Sequence, residues 1–298
     1  MRCAVITLVA GRHSHLQFQR QGLVAGKVQP DRHIVVTMQD RAVRALLDRR
    51  APWVDIVETT RQAGALPLAR ARNLGAQRAV TAGADLLIFL DVDCVPGPLL
   101  VSRYVEHAAR GERPSLLCGP VSYLPPPPSS GYQLSSLAGL GHPHPARPVP
   151  PENGALAHGD HTLFWSLSFA VRAELWRQIG GFCEQYSGYG AEDTDFGQVA
   201  ASRGIPLTWV GGAWAYHQYH PSPDPPVQHL ADIVRNAAIF QRRWGWWPMV
   251  GWLREFEQRG LIVFEQSTQS WRIVRQQPVP PRIPSTVAES GASRGPEE

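Results

Sequence analysis

The chain of 298 residues is poor in cysteine: Cys3, Cys94, Cys118 and Cys183 lie far apart and form no Cys-x-x-Cys pair. That spacing suggests neither a structural zinc site nor a disulfide framework, and it makes a reducing compartment the default. No stretch approaches the ~20 apolar residues of a membrane-crossing helix. The opening "MRCAVITLVAGRH" is too short for a secretory apolar core and has no cleavage-site pattern. A cytoplasmic protein is expected, with room for peripheral contact at the inner face of a membrane. Charge of one sign is also scarce. The formal net charge is +4, and the basic residues, mostly Arg, form no run of the kind that tracks nucleic acid. No nucleic-acid partner is expected.

Hydrophobic residues are plentiful at 43%, enough for a sizeable core. The β-branched runs "CAVITLV" (3–9), "HIVVTM" (33–38), "VDIVET" (54–59) and "DLLIFL" (85–90) read as buried strands. Between the last two, residues 66–84 carry apolar side chains at helical spacing, with Pro67 tolerated in the first turn. Strands alternating with helices predict an α/β fold with a Rossmann-like, mostly parallel sheet flanked by helices. Helices are expected near 97–110, over 172–180 and over 191–204, with strands near 115–121, 163–171 and 206–210. Residues 124–154 are rich in Pro, Gly and Ser, and are read as an active-site flap or an insertion.

In such sheets ligands sit beyond the carboxyl ends of the strands. "FLDVDC" puts Asp91 and Asp93 at such an end, with no Lys or Arg beside them in sequence. Paired carboxylates suit a hard divalent cation shared with a substrate diphosphate, although Asp is also common where strands stop. A second acidic group, Glu192, Asp193 and Asp195, lies in "GYGAEDTDFG". Acids dress the first turn of many helices. The glycine-aromatic lead-in goes further, offering Tyr189 as a flat surface, and a carboxylate beside a bound hydroxyl can act as general base.

Taken together, "ARARNLGA", "FLDVDC", "AVRAELWRQIGGF" and "GYGAEDTDFG" resemble glycosyltransferase family two enzymes of the GT-A fold, the last two blocks resembling the C-terminal module of β-1,4-galactosyltransferases. The resemblance covers about residues 3–220. It implies an inverting transferase that moves a hexose, possibly of galactose type, from a nucleotide-diphosphate sugar, UDP favoured, to the hydroxyl of a glycan, lipid or small-molecule acceptor. It implies Mn²⁺ or Mg²⁺ at Asp91 and Asp93, Asp193 as base, and Glu192 positioning a sugar. Asp40 would read the nucleoside, Thr7, Ala10 and Arg12 would wall that pocket, and Arg72 and Asn73 would lie near the nucleotide. His217 in "AYHQYHP" could complete the metal site, and His220 is a weaker candidate. Ser168 and Cys183 depart from the family pattern, where Asn and an acid are usual.

On this reading residues 1–225 form the transferase domain, with 1–123 binding the donor, 124–160 a flexible loop and 161–225 the acceptor and catalytic half. Residues 226–275 form a helical extension rich in Trp, read either as a packed corner or as an aromatic platform, and 276–298 a disordered tail. The alternatives are a sugar-phosphate nucleotidyltransferase, whose fuller glycine-rich loop and Lys are missing, and a non-catalytic sugar-binding relative. The sequence leaves the oligomeric state open.

Overall fold

Alternating side chains along each central strand commit one residue to each face of a sheet, and this chain covers both faces. In the computed structural model, which describes residues 1–47, 53–61, 64–110 and 113–274, the N-terminal half is strand–helix alternation. It runs β1 (Cys3–Val9), α1 (His13–Ala25), β2 (Arg32–Met38), α2 (Ala42–Leu46), β3 (Val54–Thr59), α3 (Leu68–Thr81), β4 (Leu86–Leu90), β5 (Cys94–Pro96) and α4 (Leu100–Arg110). There follow β6 (Leu116–Cys118), β7 (Val121–Tyr123), β8 (His142–Pro143), β9 (Ala155–Leu156), β10 (Ser168–Arg172), α5 (Ala173–Ile179), α6 (Glu192–Ser202), β11 (Leu207–Val210) and β12 (Ala215–His217). The C-terminal part holds α7 (Leu230–Trp244), α8 (Val250–Gln258), β13 (Ile262–Glu265) and β14 (Ser270–Ile273).

The main sheet has the order β3-β2-β1-β4-β10-β6-β11-β9. Its first four strands are parallel, as the alternation predicts, but β10 runs antiparallel to both β4 and β6. The sheet is therefore mixed in its second half. Ile6 and Phe89 face α3, α5 and α6, while Val5 and Ile88 face α4. Gly75 lets α3 lie against the sheet: a Cβ there would meet Ile6 Cγ2 at 2.5 Å. A second sheet, β5-β12-β7-β8, stands at the carboxyl end of β4 and carries His217.

The helical extension expected over 226–275 is broken, because Gly245 adopts φ 79° and closes α7. The β13–β14 hairpin was not expected, its four-residue strands being too short to show a pattern. Residues 124–154 are packed in part, since Leu124 and Leu137 join a core cluster with Val95 and Tyr216. The tail expectation for 276–298 falls outside the described residues. No helix among the described residues is long and apolar enough to cross a membrane.

Candidate active site

The strand β4 delivers Asp91 and Asp93 into a turn held from beneath. Gln19, fully buried on α1, donates through Nε2 to the carbonyls of Asp91 at 2.7 Å and Cys94 at 3.1 Å. Its Oε1 accepts from Thr7 Oγ1 at 2.9 Å, and Thr7 Oγ1 lies 3.1 Å from His33 Nε2. Burial brings His33 down to about 3, so it is neutral near pH 7. With the Thr7 proton committed to Gln19, the Nε2–H of His33 donates to the hydroxyl. Thr7 therefore belongs to this buried chain and is not among the residues that line the recess at Asp40. Gln19 falls on the buried face of α1 with Leu16 and Leu23, and a Gln in an apolar stripe was the available signal.

Above the turn the two aspartates part company. Asp93, its side chain 11% exposed, forms an ion pair with Arg12, and its Oδ2 lies 3.6 Å from His217 Nε2 and 3.7 Å from His220 Nε2. Among the described residues, Asp93, His217 and His220 are the group whose ligand atoms lie close enough, within 4.8 Å, to share a metal ion. The Oδ1 atom of Asp93 is buried with no hydrogen-bond partner, so the carboxylate has unmet capacity. One carboxylate and two imidazoles form a donor set of borderline hardness that fits Mn²⁺. His220, the weaker sequence candidate, thus stands level with His217. Asp91 instead pairs with Arg72, Oδ1 to Nη2 at 3.4 Å.

Arg72 joins the two acidic clusters. It is 4% exposed, lies over the Phe182 ring, and also reaches Glu192 Oε1 from Nη1 at 3.1 Å. Burial raises the Asp91 carboxyl to about 6 against the pull of Arg72. Burial and the adjacent Asp193 raise Glu192 to about 7, and burial raises Asp193 as well. Asp193 Oδ1 accepts from the Thr194 amide at 2.7 Å. These carboxylates line a cleft of about 610 Å³ with His217, His220, Tyr189, Trp165 and Trp252. Acids raised toward neutrality beside an open cleft suit proton transfer.

Asp195, the third acid of its block, turns away. It is 1% exposed and accepts from Arg243 Nε at 2.7 Å, Trp244 Nε1 at 2.8 Å and Tyr186 Oη at 3.1 Å, tying α6 to the end of α7. The same helix braces the loop before Asp193. Asn236, fully buried, donates through Nδ2 to the carbonyls of Ser187, Tyr189 and Gly190. Gly188 has φ +72° and a Cβ there would collide with Asp232. Contacts between elements this far apart in sequence leave no local signal.

Asn73 meets the turn that follows α5. Its amide exchanges two hydrogen bonds with the Phe182 backbone, both 2.9 Å, and donates to Glu184 Oε1 at 2.9 Å, so it staples the turn after α5. Glu184 thereby supplies an acid in that turn despite Cys183. Ser168 is buried against Tyr104 Oη at 2.9 Å. Asp40 accepts from the Gly11 amide at 2.7 Å and lies 2.9 Å from His13 Nε2. Burial alone would raise its carboxyl, but these partners hold it below the usual value. Asp40 borders a second recess of about 360 Å³ with Thr37, Glu58 and Arg70, and Ala10, partly buried, follows β1 toward the Gly11–Arg12 turn.

Comparison with known proteins bears on the fold. The family described as the N-terminal domain of galactosyltransferase matches residues 159–221, the stretch from before β10 to just past β12. A validoxylamine A glucosyltransferase of Streptomyces hygroscopicus subsp. jinggangensis is 31% identical over 202 residues, 59% of this chain. The match spans 44% of that relative's length. A crystal structure of GalNAc-T7 with UDP, GalNAc and Mn²⁺ superposes with TM-score 0.57 at 15% identity, covering 74% of this chain and 43% of that one. A Pyrobaculum calidifontis mannosyltransferase in complex with GDP-Man and Mn²⁺ gives TM-score 0.51 at 16% identity, covering 81% and 64%. The chain has the GT-A glycosyltransferase fold, with a galactosyltransferase-like module over residues 159–221.

Proposed function

We propose that the protein is an inverting glycosyltransferase that uses a nucleotide-diphosphate sugar. The observation that carries this reading is the meeting of two acidic groups from distant parts of the chain in one cleft. Asp91 and Glu192 share Arg72, and Asp93 stands with His217 and His220 at the same site. Structural neighbours bound to UDP with Mn²⁺ and to GDP-Man with Mn²⁺ support a nucleotide-sugar donor and a divalent cation, and the relative named a glucosyltransferase supports hexose transfer.

Asp93, His217 and His220 would hold the cation, which when bound neutralises charge on the leaving diphosphate. The recess at Asp40 would take the nucleoside. The acceptor hydroxyl gives its proton to Asp193 as its oxygen bonds the anomeric carbon. The bond from that carbon to the diphosphate oxygen breaks, and the nucleoside diphosphate leaves with the electron pair. Attack opposite the leaving group inverts the anomeric centre through an oxocarbenium-like state. Glu192, locked by Arg72, keeps Asp193 in place at the start of α6.

Asp193→Asn tests this. Transfer should fall by several orders of magnitude, while UDP with Mn²⁺ should still raise the melting temperature by ligand linkage. Loss of that stabilisation along with transfer would remove the base role from Asp193. Proton NMR of the product's anomeric coupling decides inversion. Pyrophosphate release from a nucleoside triphosphate and a sugar phosphate would instead mark a nucleotidyltransferase.

A further inference from the structure

Asp93 Oδ2 is the oxygen that faces His217 and His220, and it is also the oxygen that Arg12 Nη1 engages in an ion pair. A guanidinium and a divalent ion at one carboxylate oxygen lie within a few ångströms of each other and repel. The other oxygen of Asp93 is buried, so it gives a second cation no open approach. Arg12 and a metal ion are therefore rivals for one acceptor.

The two partners of this ion pair are anchored very differently. The turn of Asp93 is gripped by Gln19, and the Asp93 carbonyl accepts from the Gln218 amide at 2.7 Å. Arg12 has a side chain 37% exposed and sits on a Gly11–Arg12 turn with φ 70° and 53°. The residues on either side of it bind Asp40: the Gly11 amide at 2.7 Å and His13 Nε2 at 2.9 Å meet the same oxygen, Oδ2. Asp40 borders the recess of about 360 Å³. Arg12 is thus joined by its backbone to that recess, and by its charge to the carboxylate beside His217 and His220 in the cleft.

We infer that Arg12 gates the metal site: its guanidinium holds Asp93 against a divalent cation until the phosphates of a nucleotide draw it away. Guanidinium–phosphate hydrogen bonds are charge-assisted and often bidentate, whereas an ion pair with one well-exposed partner is weak. An arriving nucleoside diphosphate releases Asp93, and cation and nucleotide load together. By linkage each raises the other's affinity by the same factor. The inference rests on the transferase reading and adds to it the coupling of the two loading steps.

Electron paramagnetic resonance of Mn²⁺ titrated into the full chain provides the test, with and without UDP and corrected for Mn²⁺ held by free UDP. Arg12→Met and Arg12→Gln remove the charge and should bind Mn²⁺ alone about tenfold tighter than the parent, a factor within the usual range of coupling between sites. Arg12→Lys keeps the charge and should stay near the parent. UDP should strengthen Mn²⁺ binding less in the neutral variants than in the parent. Either neutral variant suffices if its circular dichroism melt shows a folded chain. Equal or weaker binding of Mn²⁺ alone by the neutral variants overturns the gate, and where the parent binds Mn²⁺ with UDP it leaves the transferase reading standing. No Mn²⁺ binding by any of these chains, even with UDP, removes the metal from that reading and the gate with it.

Discussion

Gln19 Nε2 donates to the backbone carbonyl of Asp91 across 2.7 Å, linking a buried helix residue to the turn that aims Asp93. It also holds the carbonyl of Cys94, so the turn is gripped on both sides of the Asp93 carboxylate. Groups behind a metal ligand set its direction and typically change affinity 10–100-fold when removed. Gln19→Met keeps the volume and removes both donors. Its Mn²⁺ affinity, read by electron paramagnetic resonance without nucleotide, should weaken by about that factor. Activity should return at saturating Mn²⁺, and a fall in melting temperature with unchanged Mn²⁺ affinity would show a purely structural part.

His217 and His220 flank the same Asp93 oxygen within 0.1 Å of equal distance, at 3.6 and 3.7 Å. Replacing either with Ala should weaken Mn²⁺ binding by similar factors, and Asp93→Asn should weaken it most. Titration of each variant against Mn²⁺ by calorimetry measures the order. An unaffected His220→Ala would leave His217 as the sole histidine ligand.

The pH dependence of stability follows from Glu192. Its folded pKa is raised from 4.5 to about 7 by burial and Asp193, so its contribution is fully present below about pH 4.5 and is lost as pH rises through about 7. The melting temperature of Glu192→Gln, subtracted from that of the parent chain, should show the parent losing ground across this window. The pH profile of kcat/KM should move oppositely, rising as Asp193, itself raised by burial, becomes ionised.

Asn236 serves three carbonyls with one amide. Asn236→Ala strips buried acceptors of their donor, at a cost of about 1–3 kcal/mol. The Tyr189 loop should loosen and with it the start of α6 that carries Glu192 and Asp193, lowering kcat/KM. Hydrogen exchange of the Tyr189 and Gly190 amides reads the loosening directly.

What the sequence determined by itself was the part set by local rules. Strand and helix patterns in the sequence placed β1 to β4 and α3 but passed over α1 and α2, and a strand end followed by Asp-Val-Asp marked the turn at the carboxyl end of β4. The order of motifs supplied the resemblance and, with it, Asp193. Tertiary structure alone decided which acids face the cleft. Glu192 reaches Arg72 across 120 positions and Asp195 reaches Arg243 across 48, and no window of sequence contains either pair. It also decided that Thr7 and Asn73 serve the scaffold, and that His220 stands beside His217. A side chain's task depends on the partners that folding brings to it, and the energy of pairing or leaving a buried polar group exceeds any preference its neighbours in sequence impose.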